Sequence, residues 1–239
     1  MTNQALVAKQ RTAFHAALLD SILTLNAHDV PSNSDTHKQA SVKIAQELYR
    51  RIDVGAGRVV EGIPGRSLGH KFEAICLQFL ESTFLHLAHL RPGHWVVKQV
   101  AGCSHSAIAE NEQYADFEDS DRAARQDRIS TASLEYSDSI SPDVVIQRFP
   151  EPDDVINAAD NRIVDRTVAN HSTLREAVTK LPTLHASVSC KWTIRSDRAQ
   201  NARSEALNLI RNRKGRSPHI VLVTAEPTPS RLSSLALGT

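Results

Sequence analysis

Residues 184–194 read LHASVSCKWTI. Successive side chains of an extended chain point to opposite faces. Ala186, Val188, Cys190, Trp192 and Ile194 therefore share an apolar face, and His185, Ser187, Ser189, Lys191 and Thr193 share a polar one. This is the clearest strand in the chain. Lys191 stands inside a segment otherwise suited to burial, and two ordinary explanations fit it: a polar face that meets solvent, or an ion pair with a single acid.

Working outward, a helix is predicted at about 198–212, followed by HIVLVTAEP at 219–227. The unbroken apolar run of that segment predicts a buried, parallel-type strand. Upstream, a helix is predicted near 172–180, and strands at PDVVIQRF (142–149) and WVVKQV (95–100). Towards the N-terminus, Phe14, Leu18, Ile22 and Leu25 form one stripe of a helix over 10–25. A second helix is predicted at 38–52 after a polar loop at 27–37. A long apolar helix over 68–89 is ended by Arg91-Pro92-Gly93. Residues 103–140 are polar, acidic and serine-rich, and read as an acidic insertion, part mobile and part charged helix. No internal repeat is present. Helices before and between strands predict an α/β fold in a single domain spanning 1–239.

Composition narrows the class. A chain of 239 residues with 41% hydrophobic and 23% charged residues suits a soluble globular protein. It has no run long enough for a membrane span. The opening MTNQALVAKQRTAFH lacks a secretory pattern, which points to the cytoplasm. Cys76, Cys103 and Cys190 are far apart, as free thiols in a reducing compartment would be. The 11 histidines include no HExxH spacing, which argues against zinc hydrolase chemistry. The net charge is only +1, but residues 191–216 hold eight Lys/Arg against two acids, whereas 110–143 hold ten acids against three Arg. The basic stretch reads either as a solvated helix face or as a local polyanion-binding surface.

Three acids bear on Lys191. Asp143 opens the PDVVIQRF strand behind Pro142. Glu205 lies one turn from Ala202 and Leu209, on the helix face that should pack on the sheet. Glu73 lies in FEAICLQFL, on a helix apolar nearly all round, where an uncompensated carboxylate would be costly. A buried salt bridge, even to Lys191, would account for Glu73. Together, the carboxylates suit a hard cation such as Mg²⁺, and a lysine beside it suits phosphodiester hydrolysis. Next in the chain come Arg195-Ser196-Asp197-Arg198 at a predicted helix start. Arginine can bond O6 and N7 of guanine and aspartate can accept from N4 of cytosine. The same residues fit a helix cap, with Asp197 and Gln200 as a capping box.

Pro142-Asp143, Ser189-Cys190-Lys191 and Glu205 together resemble the PD…SxK…E variant of the PD-(D/E)XK nucleases, as found in the NgoMIV-type type II restriction endonucleases. In the common form an acid precedes the lysine by two residues; here Ser189 takes that place, and Glu205 supplies the carboxylate. The stretch from His185 to Arg231, with FEAIC and RPGHWVVKQV, extends the similarity over most of the chain. The resemblance implies a restriction-endonuclease-like core, a central mixed five-stranded sheet flanked by helices. It implies catalysis by Asp143, Lys191, Glu205, Glu73 and Ser189. Two Mg²⁺ ions would be held by Asp143, Glu205, Glu73 and the backbone carbonyl of Cys190. Arg195, Asp197 and Arg198 would read a central CCGG, Arg231 the outer G:C pair, and Arg66 would replace a minor-groove glutamine. The implied partner is double-stranded DNA, cut at GCCGGC after the first G to leave a 5′ overhang, by a homotetramer or dimer holding two sites. Arg211, Arg213, Lys214 and Arg216 are candidates for phosphate contacts or inter-subunit ion pairs. Such enzymes carry further C-terminal elements, and a chain ending at LALGT is expected to be shortened there. The rival reading is a DNA-binding protein on the same scaffold that has lost cleavage with that segment; a different nuclease of the superfamily is a second rival.

Overall fold

A computed structural model describes residues 4–52, 65–100, 108–116, 142–158 and 162–237. Three helices come first: α1 (Leu6–Ser21), α2 (Gln39–Ile52) and α3 (Gly65–Phe84), the last continued by a 3-10 turn over Leu85–Leu87. Strands β1 (His94–Gln99) and β2 (Val144–Phe149) follow, then a short helix α4 (Asp153–Ile156), strand β3 (Thr183–Lys191), helix α5 (Ser196–Arg211), strand β4 (His219–Thr224) and helix α6 (Pro229–Leu237). The sheet order is β1-β2-β3-β4. β1 and β2 are antiparallel, with His94 opposite Phe149 and Gln99 opposite Val144. The α/β expectation holds, as a mixed sheet flanked by helices. Four strands, not five, stand among the described residues.

The chain forms two compact units: residues 1–86, 188–203 and 222–239 make one, and 87–187 with 204–221 the other. In the first, α1 packs on α3, with the rings of Phe14 and Phe79 edge-to-face at 5.4 Å. Phe72 meets Trp192 in the same way at 5.3 Å, and both are almost fully buried. Such pairs add about 0.5–1.5 kcal/mol beyond the area they bury. The second unit closes on Val100, Ile108, Tyr114, Val145, Leu184 and Leu209.

Three expectations change. The segment near 172–180 is not a helix but a series of turns around Arg175, which is 3% exposed. Its guanidinium grips both oxygens of Asp153, at 2.9 and 2.6 Å, and donates to the carbonyls of Asp165 and Val168. Leu174 and Val178 are exposed, so no apolar face of this segment is buried, and the turns are organised by the buried guanidinium instead. β4 is not a doubly covered strand, since His219, Ile220 and Val221 are exposed. It ends the sheet order, so its apolar run lies at an edge. Finally, Ile108, Asn111, Gln113 and Tyr114 of the polar segment are buried in the second unit. The Gln113 amide donates to the carbonyl of Leu184 and accepts from its N–H, both at 2.8 Å, as a neighbouring strand would. Tyr114 donates to the carbonyl of Leu209 at 2.9 Å. Burial pushes its phenol up to about 12, against a smaller opposing effect of Arg213. The remainder of 103–140, Cys103 included, lies outside the described residues.

Candidate functional site

The second unit carries two of the three acids. Pro142 has no N–H to give a sheet, so pairing stops there. The last bond of the β1–β2 ladder runs from the Val100 N–H to the Asp143 carbonyl, at 3.0 Å. Asp143 is thereby fixed at the mouth of β2, half-buried ahead of fully buried Val144 and Val145. Glu205 lies on α5, also half-buried, one turn from Leu209, which is wholly enclosed. One of its carboxylate oxygens, Oε1, is buried and accepts no hydrogen bond among the described residues, although the residue has other interactions.

The first unit carries the rest. β3 ends at Lys191, half-buried, behind buried Ser189 and Cys190. The face that the alternation marked as polar is therefore not a solvent face: Ser187 is 2% and Ser189 7% exposed. Ser189 Oγ is buried with no hydrogen-bond partner among the described residues. Glu73 projects from α3 with 16% of its side chain exposed, and its Oε2 lies 3.2 Å from Nδ1 of His70, one turn back. Cys76 and Cys190 are both buried, and neither is in a disulfide.

α5 begins at Ser196, so Asp197 occupies its first turn and is not its cap; a carboxylate there complements the helix dipole. Arg195, Asp197 and Arg198 are all exposed. Arg198 is steadied by Nη1, which donates to Thr193 Oγ1 at 2.9 Å. Arg231, far along the chain in the first turn of α6, donates from Nη2 to Ser196 Oγ at 2.5 Å. The structure thus brings Arg231 against the 195–198 element. Arg66 lies in the first turn of α3, and its side chain is outside the described residues. In the other unit, Lys214 pairs with Asp116 and Arg213 donates to the carbonyl of Ile210.

Sequence reasoning missed the brace beneath this element. Glu226 is 3% exposed. Its Oε2 accepts the N–H of Ile194 at 2.8 Å, and its Oε1 accepts from Ser41 Oγ at 2.6 Å. Ser41 Oγ in turn accepts the N–H of Asp35 at 2.9 Å. Asn33 donates to the carbonyl of Ala225 at 2.6 Å, and Trp192 Nε1 to that of Ser32 at 3.0 Å. The polar loop of the sequence is in fact buried at Asn33, Ser34 and Asp35. It holds residues 192–194, which separate Lys191 from Arg195. The available signal was an acid at the end of an apolar strand, TAEP, where a charge requires partners.

Carboxylate and carbonyl oxygens suit a hard divalent cation. Buried Ser189 Oγ, lacking a partner, fits a polar ligand or water at that end of β3. Among the described residues, no three His, Cys, Asp or Glu side chains group as a metal cage. No helix among the described residues is long and apolar enough to cross a membrane.

A family model described as NgoMIV restriction enzyme matches residues 14–239. The type II restriction enzyme NgoMIV of Neisseria gonorrhoeae is 47% identical over 235 residues, which are 98% of this chain and 81% of that relative. With a match this long to both, the chain belongs to the NgoMIV family of type II restriction enzymes.

Proposed function

We propose that the protein hydrolyses double-stranded DNA at GCCGGC with Mg²⁺, cutting after the first G in each strand, as a homotetramer or dimer holding two sites in the cytoplasm. In this reading Asp143, Glu205, Glu73 and the Cys190 carbonyl hold two Mg²⁺ ions. When bound, the metal polarises the scissile phosphate and lowers the pKa of a coordinated water. Lys191 orients the attacking water and offsets charge gathering on the phosphate oxygens. Ser189 supplies a hydroxyl beside it. Arg195 and Arg198 pair with guanine and Asp197 with cytosine in the central CCGG. Arg231 reads the outer pair in the major groove and Arg66 approaches from the minor groove.

The contact of Arg231 with Ser196 is the observation that carries this reading. It joins the outer-pair candidate to the inner-pair element, as contiguous readout of one short palindrome requires. Sequencing the ends of Mg²⁺ digestion products tests it. Ends at G/CCGGC are expected; ends at another sequence would remove the target assignment, and intact DNA in the presence of a specific gel shift would leave binding without cleavage.

A further inference from the structure

In the first unit, three helices and the end of the sheet surround an open cavity of about 190 Å³. Phe14 and Leu18 of α1, Leu48 of α2, Phe72 of α3 and Val223 of β4 line it, together with Trp192, the residue after Lys191. A dry apolar cavity of about 150 Å³ takes one benzene-sized ring. This cavity has room for a ring with a substituent.

Its walls are held in place by directed bonds. Trp192 Nε1 donates to the Ser32 carbonyl at 3.0 Å, and its indole meets the Phe72 ring edge-on at 5.3 Å. Ser32 Oγ in turn donates to the Ile22 carbonyl at 2.6 Å. Asn33, 3% exposed, also lines the cavity. Its Nδ2 donates to the carbonyl of Ala225, a further lining residue, at 2.6 Å. Its Oδ1 is buried and accepts no hydrogen bond among the described residues. A buried acceptor left unpaired is costly. Because the amide is fixed through its nitrogen, that oxygen keeps one orientation. His15 lines the cavity too, and burial, then Arg11, hold its imidazole below the ordinary 6.5, so it brings no charge at neutral pH.

We propose that this cavity binds a small, neutral aromatic molecule with one O–H or N–H donor, its ring among Phe14, Phe72 and Trp192 and its donor on Asn33 Oδ1. Aromatic rings favour edge-on and offset contacts with one another. A charged ligand would lose its hydration against such walls. The inference goes beyond the nuclease reading and does not depend on it.

The test titrates the full chain with p-cresol and with toluene, which differ by one hydroxyl, and follows the heat of binding. A cavity offering no acceptor would prefer toluene, since the hydroxyl would give up its water for nothing. The proposal expects p-cresol to bind more tightly, by about two- to tenfold, as one net hydrogen bond gives. Leu48→Trp, which fills the cavity from a half-buried position on α2, should abolish binding of both. Should that variant fail to fold, Trp95→Phe leaves Trp192 alone of the chain's two tryptophans, and its emission should change and saturate along the calorimetric isotherm. Tighter binding of toluene, no binding of either probe, undiminished binding to Leu48→Trp, or a Trp192 emission that ignores p-cresol would each overturn the proposal. DNA and Mg²⁺ are left out of every arm, so this result and the nuclease reading stand or fall separately.

Discussion

The carboxylate of Glu226 accepts the backbone N–H of Ile194 at 2.8 Å. That bond ties the end of β4 to the peptide between Lys191 and the 195–198 element. Glu226→Ala would strand a buried N–H and a buried serine hydroxyl, and should cost about 2–4 kcal/mol of stability. Glu226→Gln, which keeps one acceptor, should cost less. At a temperature where both variants are folded, specific DNA binding should fall further than non-specific binding. Equal losses in a gel-shift series would show that Glu226 supports the fold without positioning the reading element.

Lys191→Ala should abolish cleavage and leave specific binding intact, since the residue adjoins the reading element but stands apart from it in sequence. EDTA should silence the parent in the same way, and added Mg²⁺ should restore the parent alone. Cleavage by the variant at more than a few per cent of the parental rate would take Lys191 out of the chemistry.

Arg195→Ala and Arg198→Ala should each weaken specific binding by about 1–3 kcal/mol, the discrimination carried by one guanine contact. Arg231→Ala should relax the outer base pair while sparing the inner four. Ser196→Ala, which removes only the hydroxyl that Arg231 reaches, should reproduce a milder form of the same relaxation. Competition with duplexes altered at the outer pair measures both.

Stability should rise between about pH 4 and pH 6.5. Folded His185 titrates at about 4, below its ordinary 6.5. In that window the unfolded chain binds the extra proton, so lowering the pH favours unfolding. Asp153 and Asp165 are held below their ordinary 3.8, Asp153 chiefly by its bond from Arg175 and Asp165 by that from Thr167. Their contributions are lost only under more acid conditions, so the windows separate. Urea midpoints across this range should flatten in His185→Gln; an unchanged slope would assign the effect to other groups.

The strands and helices that bury a continuous stripe were legible in the sequence, and residue type marked out the candidates for chemistry. Asp143, Lys191 and Glu205 announce themselves because charge next to an apolar run has few cheap explanations. What escaped was structure made by polar side chains at long range. Gln113 completes a ladder for Leu184, Arg175 organises a string of turns, and Glu226 braces Ile194 from 32 residues away. None leaves a period in the sequence, because each works through single directed bonds. β4 misled for the opposite reason: an apolar run records hydrophobicity, not how many neighbours are present to cover it.

The Gln113 amide has a practical corollary for anyone trimming the acidic stretch to improve crystals or yield. A deletion that began at residue 103 would take away the peptide-like clasp on Leu184 and the Tyr114 anchor together, leaving the Leu184 backbone near the start of β3 without those bonds. A cut placed after Asp116 would keep both contacts.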